Sequence, residues 1–127
     1  IDGWWPATGT ALHLAQQRHR VTIVTASEKV AAKLDLSATG NTTRKRLVRH
    51  GVEVLLATSL ESWKGGTATL VNLYTGDRES RDFDWLVLAT TNTSNDELYT
   101  SLANAQIDMH IIGDAVASRT ALSVAVC

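Results

Sequence analysis

An alternation of short, largely apolar runs with amphipathic segments is the feature that most constrains how this chain can fold. Residues 21–25 are β-branched throughout, and further runs follow at residues 52–56, 85–90 and 109–112. Strands that are buried on both faces have this near-continuous apolar character, and they belong to parallel sheets. The pattern therefore predicts the α/β class, with a parallel sheet and helices on both faces.

The amphipathic segments predict the helices. In the first of them, Ala11, Leu12 and Ala15 fall on one face. The second is basic, with Thr42 or Thr43 as its cap and Gly51 in the helix-ending position. The predicted helical segments are residues 9–19, residues 42–50, residues 95–102 and the stretch from Ala115 onward.

A different pattern separates the second apolar run from the third. Short alternating runs are divided by Gly65 and Gly66 and again by Thr75, Gly76 and Asp77, which predicts a three-stranded antiparallel meander. The first helix has no strand before it, although a doubly wound sheet would begin with one. We therefore expect that strand upstream of residue 1, and the chain to be a fragment of a longer protein.

Composition excludes several classes of function. Twelve basic and 13 acidic side chains leave a net charge of -1, which offers no long-range field for nucleic acid or an anionic membrane. No apolar run approaches the roughly 20 residues of a membrane span, and we expect no secretory signal. Cys127 is the only cysteine. It excludes an internal disulfide or thiolate cluster and favours a reducing, cytoplasmic setting.

No catalytic or metal-binding motif stands out. The sequence contains no nucleophile elbow and no Walker loop, and its paired acids at Asp82 and Asp84 have no basic or nucleophilic partner nearby. Metal-ligand spacing is absent among the four histidines, His13, His19, His50 and His110. We therefore predict neither a catalytic residue nor a metal site within this chain.

Several segments together resemble one family. They are residues 2–12, residues 21–24, residues 43–52, residues 85–90, residues 95–99 and residues 111–115. In this order they are similar to the C-terminal dinucleotide-binding region of NADH:flavin oxidoreductases such as trimethylamine dehydrogenase and dienoyl-CoA reductase. The resemblance implies a Rossmann-like FAD/NAD(P)-binding domain over residues 1–106. Residues 107–127 would begin the return to the FAD- or ADP-binding domain.

The resemblance also implies cofactors and partners. FMN and an iron–sulfur cluster belong to an N-terminal barrel outside this sequence, while FAD or ADP, and NAD(P)H in the reductase branch, bind the C-terminal half. The expected partners are that flavin-binding barrel and a small nucleotide, and a homo-oligomer is compatible with this expectation. The expected cofactor-binding residues are Thr8, Gly9, Gly113, Asp114 and Ala115, of which Asp114 matches the flavin-contacting aspartate.

The phosphate loop departs from the family pattern. If Gly9 is the third glycine of G-x-G-x-x-G, the first two positions are Trp4, which is bulky, and Pro6, which lacks an N–H. We favour a degenerate, structural loop over nucleotide binding, with Gly9 retained for close packing of the helix on a strand. The alternative to an oxidoreductase segment is a non-catalytic domain for ADP binding, packing or interaction.

The positions expected to bind the ribose and the phosphate also depart from the dinucleotide-binding pattern. The strand at residues 21–25 ends in Thr25 rather than an acid, and Glu28 is expected to be a solvated loop residue. A basic cluster on the second helix could hold a phosphate, but a solvated helix face is the favoured interpretation. That cluster comprises Arg44, Lys45, Arg46 and Arg49. Trp85 is expected to pack within the sheet.

Overall fold

A computed structural model describes residues 5–90, 93–105 and 107–116, apart from the side chain of Asp114. The chain divides into two compact units, Ile1–Thr90 and Thr91–Cys127. The described α-helices are α1 (Trp5–Gln16), α2 (Gly40–Arg49) and α3 (Glu97–Leu102), and short 3₁₀ helices lie at Ala32–Ser37 and Gly113–Ala115. The described strands are β1 (Thr22–Val24), β2 (Glu53–Leu55), β3 (Thr58–Lys64), β4 (Thr67–Asn72) and β5 (Arg78–Asp82).

The first unit contains the predicted parallel pairing. β1 pairs with β2 in parallel, with Ile23 opposite Val54. α1 and α2 contribute most of the buried apolar side chains beside these strands, and Leu47 of α2 is only 1% exposed. The core cluster consists of Ala11, Leu12, Ala15, Ile23, Leu47 and Val52. The α/β class predicted from the sequence is confirmed.

The meander is also confirmed. β3, β4 and β5 form an antiparallel sheet in that order. Gly65 and Gly66 turn the chain between β3 and β4 with φ angles of 55° and 91°, and Gly76 turns it before β5 with φ 76°. Glycine reaches this left-handed region without steric cost, which is why these turns could be located from the sequence.

The two helices of the first unit begin earlier than predicted. α1 includes Trp5 and Pro6, because proline is tolerated in a first turn, where its missing N–H would have no helical partner. α2 starts at Gly40 after the N-cap Thr39, so Thr42 and Thr43 are not its caps. Thr43 instead lies inside the helix, buried, and its hydroxyl donates to the Thr39 carbonyl at 3.0 Å.

The helix-ending glycine of α2 is where the sequence placed it. Gly51 has φ 68°, and its N–H donates to the Val48 carbonyl at 3.0 Å. The N–H of Val52 then donates to the Leu47 carbonyl at 3.0 Å. These bonds satisfy carbonyls at the helix end and direct the chain into β2.

Two predicted strands do not form within the described residues. Residues 85–90 and 109–112 have no regular structure, and Trp85 is 87% exposed instead of packed in the sheet. A strand needs the N–H and carbonyl groups of a neighbouring strand, and the described parallel sheet consists of β1 and β2 alone. Apolar composition without a pairing neighbour was therefore insufficient.

The second unit contains α3, which confirms the predicted helix at residues 95–102 with a later start after Asp96. The helix predicted from Ala115 onward falls mostly outside the described residues. The division into residues 1–106 and 107–127 stays a prediction.

Candidate functional site

The carboxyl edge of the parallel sheet is the place where this fold would carry a ligand. β1 and β2 run in parallel, so both end at this edge. The short connection of residues 17–21 leads from α1 into β1, which places the first turn of α1 at the same edge. Ligands of open α/β sheets bind outside the carboxyl ends of the strands and against helix N-termini.

The first two turns of α1 contain two of the expected binding residues, Thr8 and Gly9. Thr8 is buried, and its hydroxyl donates to the Trp5 carbonyl at 3.4 Å. Pro6 contributes no N–H to this turn. Gly9 is half-buried, and a Cβ at this position would have its nearest described contact with Cε3 of Trp5, at 3.8 Å.

That geometry corrects one expectation about Gly9. We expected the glycine to permit close packing of the helix on a strand. Its nearest described neighbour is instead a side chain of the same helix, at ordinary van der Waals distance. Packing among the described residues therefore does not require a glycine here.

The loop after β1 is held by backbone hydrogen bonds to the segment after β2. The N–H of Thr25 donates to the Leu55 carbonyl at 3.0 Å, and the Thr25 carbonyl accepts from the Thr58 N–H at 2.9 Å. The Ala57 N–H donates to the Ser27 carbonyl at 3.1 Å. Thr25 is buried, and its hydroxyl accepts from the Ser27 N–H at 3.2 Å. This loop is consequently fixed rather than open.

Glu28 lies in this loop and has an unexpected partner. Its side chain is exposed, as expected, but its Oε1 accepts a 2.7 Å hydrogen bond from the Tyr74 hydroxyl. The hydrogen bond to Glu28 raises the pKa of Tyr74. No local sequence signal marks this pair, because the two residues are 46 positions apart and meet only through the meander.

Arg44 of the basic helix is bound within the protein. One guanidinium nitrogen donates to the Val30 carbonyl at 3.2 Å, and the other donates to Asp35 Oδ1 at 2.7 Å. Lys29 pairs with the other oxygen of Asp35 at 2.5 Å. Hydrogen bonds from Arg44 and then Lys29 hold the pKa of Asp35 below its ordinary value of 3.8.

This cluster explains Gly40. A Cβ there would overlap Oδ1 of Asp35 and lie 3.0 Å from a guanidinium nitrogen of Arg44. The remaining basic residues of the helix, Lys45, Arg46 and Arg49, are exposed, in agreement with the favoured interpretation. The basic helix thus divides into one structural arginine and an exposed basic face.

The other expected cofactor residues belong to the second compact unit. Gly113 and Ala115 lie in the 3₁₀ helix Gly113–Ala115, and Gly113 has φ 68°. The side chain of Asp114 lies outside the described residues. The five expected residues are therefore distributed between two units, with Thr8 and Gly9 in the first.

The described residues lack two further kinds of feature. They contain no group of three or more His, Cys, Asp or Glu side chains that could hold a metal ion. None of the helices in this part of the chain is long and apolar enough to cross a membrane.

Comparison with known proteins gives structural matches. The fold is similar to 6-hydroxypseudooxynicotine amine oxidase from Pseudomonas geniculata N1 (TM-score 0.87, 22% identity, 98% of this chain and 19% of that one). It is also similar to histamine dehydrogenase from Rhizobium sp. 4-9 (TM-score 0.85, 25% identity, 94% and 20%). A third match is 2-naphthoyl-CoA reductase (TM-score 0.76, 15% identity, 89% and 17%). No protein-family model and no curated protein matches the chain.

These matches confirm the resemblance seen in the sequence. The three matched proteins are, by name, an amine oxidase, a dehydrogenase and a reductase, and this chain corresponds to one part of each. The chain spans about a fifth of their length.

Proposed function

We propose that this chain is the dinucleotide-binding-type domain of a flavin-dependent oxidoreductase, and that it has no catalytic centre of its own. The observation that carries the proposal is the match over 94% of the chain to histamine dehydrogenase, at a TM-score of 0.85 and 25% identity. The matched part is only 20% of that enzyme. A domain of this size supports a redox centre located elsewhere in the polypeptide.

The proposal includes a phosphate loop that has lost its ligand. A working loop presents several N–H groups to a pyrophosphate and uses glycines so that the backbone can approach it. Here Pro6 has no N–H, and the Thr8 hydroxyl is bonded to the Trp5 carbonyl. The residues of this turn therefore fit a phosphate group poorly, and its role is to pack α1 on the sheet.

The positively charged side chains near the connection between β1 and α2 are also poorly available to neutralise a phosphate. The guanidinium of Arg44 is bound by Asp35 and a backbone carbonyl, and Lys29 is paired with the same carboxylate. A phosphate would have to displace these internal partners. That competition supports a structural role for the cluster.

The proposed cofactors belong to the parent protein. FMN and an iron–sulfur cluster lie in an N-terminal barrel, and FAD or ADP lies in the adjoining nucleotide domain, near Gly113, Asp114 and Ala115. The flavin supplies the redox chemistry, and NAD(P)H is a further cofactor if the parent is a reductase. The proposed partner of this chain is that barrel, in a cytoplasmic protein.

Flavin and iron content of the parent protein tests the main proposal. The natural polypeptide that contains this sequence is purified under anaerobic conditions, and its absorption spectrum, extractable flavin and iron are measured. We expect a yellow-brown protein with bound flavin and iron. A colourless, fully folded polypeptide with neither would contradict the proposal.

A second candidate function is a non-catalytic packing or ADP-binding domain. The exposed apolar run at residues 85–88 favours it, because Trp85 and Leu88 are 87% and 69% exposed and such a surface commonly binds another chain segment. This candidate predicts a colourless parent whose thermal stability rises with ADP or with a separately produced neighbouring domain. Flavin bound by the parent would contradict the colourless, free-standing binding protein that this candidate describes.

A further inference from the structure

We propose that the Tyr74 hydroxyl occupies the place of a ribose hydroxyl on Glu28 and thereby closes the carboxyl edge of the sheet to nucleosides. The inference rests on the proposed dinucleotide-type ancestry of this domain. The competing group is the Tyr74 hydroxyl, which belongs to the meander. It acts at the ribose position and is separate from the phosphate loop.

Glu28 follows β1. Because the first strand of the fold is expected upstream of residue 1, β1 corresponds to the second strand of a dinucleotide-binding fold. In dinucleotide-binding folds, an acid that follows the second strand accepts hydrogen bonds from the ribose hydroxyls. Glu28 is the first carboxylate after β1, and the loop that bears it is fixed by the bonds of Thr25 and Ser27 to the segment after β2. The carboxylate is thus presented by a rigid loop at the ligand edge.

The Glu28 carboxylate already accepts a hydrogen bond from a side chain of the same protein. The Tyr74 hydroxyl donates to Oε1 at 2.7 Å, a length typical of a strong O–H to carboxylate bond. A ribose hydroxyl is a donor of the same kind and would compete with Tyr74 for Oε1 of this carboxylate. The pKa of Tyr74 is raised from an ordinary value of 10.0 that already lies well above neutral pH, so the hydroxyl is a protonated donor.

Backbone and side-chain hydrogen bonds hold the turn that contains Tyr74. The Asn72 side-chain oxygen accepts from the Tyr74 N–H at 2.9 Å, and the Gly76 N–H closes the turn on the Asn72 carbonyl at 2.8 Å. The Leu73 N–H donates to the Ala57 carbonyl at 2.7 Å. The turn is therefore attached to the same segment that fixes the Glu28 loop, which makes the hydroxyl a built-in partner.

Nucleoside binding to single hydroxyl deletions tests this proposal. Tyr74→Phe removes the competing donor and retains the ring, and Tyr99→Phe is the matched control, since the sequence has 2 tyrosines. The probe is adenosine, which has the ribose but no phosphate and so avoids the phosphate loop. Deoxyadenosine is the control ligand. Binding is followed by saturation-transfer NMR at millimolar ligand.

We expect Tyr74→Phe to increase adenosine binding about threefold to tenfold, the equivalent of one net hydrogen bond. The increase should be absent with Tyr99→Phe, smaller with deoxyadenosine, and lost when Glu28→Ala, which removes the acceptor, is added. Equal binding by Tyr74→Phe and the natural protein would overturn the proposal, as would an increase that survives Glu28→Ala.

The contact itself is measured independently of any ligand. In Tyr99→Phe the only tyrosine is Tyr74, so the tyrosinate absorbance reports its pKa directly. We expect a midpoint above the ordinary value of 10.0 that returns towards it when Glu28→Gln is added. An ordinary midpoint in both proteins would refute the contact. Neither measurement depends on flavin in the parent protein, so this proposal and the proposed function fail separately.

Discussion

Replacing Gly9 with alanine is expected to stabilise the protein. Gly9 lies inside α1, where glycine costs roughly 0.5–1 kcal/mol relative to alanine because it loses more backbone entropy on folding. The added Cβ would have its nearest described contact at 3.8 Å, with Trp5 Cε3, so steric strain does not offset the gain. The net expectation for Gly9→Ala is a free energy of unfolding higher by about 0.5–1 kcal/mol.

Urea unfolding followed by far-UV circular dichroism measures this change. At an m-value of about 2 kcal/mol per molar urea, the midpoint should rise by roughly 0.4 M. Gly40→Ala is the matched control, because its Cβ would overlap the Asp35 carboxylate and disturb the bond from Arg44. That control should lower the midpoint.

A loss of stability on Gly9→Ala would refute the reasoning. It would mean that the helix packs closely on another segment at Gly9, as a glycine of a working dinucleotide fold does. A lower free energy of unfolding for Gly9→Ala would therefore mean that packing requires a glycine at this position. A higher one would mean that it does not.

Three further perturbations follow from the described contacts. Leu47→Ala should lower the free energy of unfolding by about 2–4 kcal/mol, because the Leu47 side chain is 1% exposed. Leu88→Ala is the control and should change it by less than about 0.5 kcal/mol. Urea unfolding of both variants measures the two changes. Gly51→Ala should lower thermal stability by about 1 kcal/mol, because φ is 68° at this helix end. The hydrogen bond from Arg81 lowers the pKa of Glu53 from 4.5, so its stabilising effect is complete above that pH and is lost as the pH falls through the lowered value. The stability difference between the natural protein and Glu53→Gln should therefore shrink in acid, and a difference that grows in acid would contradict this.

Local chemistry explains which parts of the fold could be predicted from the sequence. Gly65, Gly66, Gly76 and Gly51 adopt positive φ angles that favour glycine, so turns and a helix end were placed correctly. The β-branched run at residues 21–25 contains β1 for an equally local reason. These features depend on the residue and its immediate neighbours.

Features that depend on distant partners could not be predicted. The apolar run at residues 85–90 has strand composition but pairs with no strand in the described part of the chain. Gly40, at the start of α2, lies against the side chains of Asp35 and Arg44, a contact that the residue alone does not indicate. Such features are set by tertiary contacts that composition and periodicity do not encode.

The candidate site shows the same division. Pro6 and the absence of an acid at Thr25 were visible as departures from a dinucleotide-binding pattern. The hydrogen bond between Glu28 and Tyr74 was not, because it joins the loop after β1 to a turn of the meander. Residue identity indicated which ligand groups were missing, and only the structure identified the internal group bound to Glu28.

Nucleotide titration of the isolated chain, residues 1–127, tests the central claim of a lost phosphate site most directly. Calorimetry with ADP, NADH, NADPH and FAD, at concentrations that detect millimolar dissociation constants, should give no saturable heat with any of the four. Saturable binding of one of them, abolished by a bulky replacement at Gly9, would contradict the account and identify a working dinucleotide site at the start of α1.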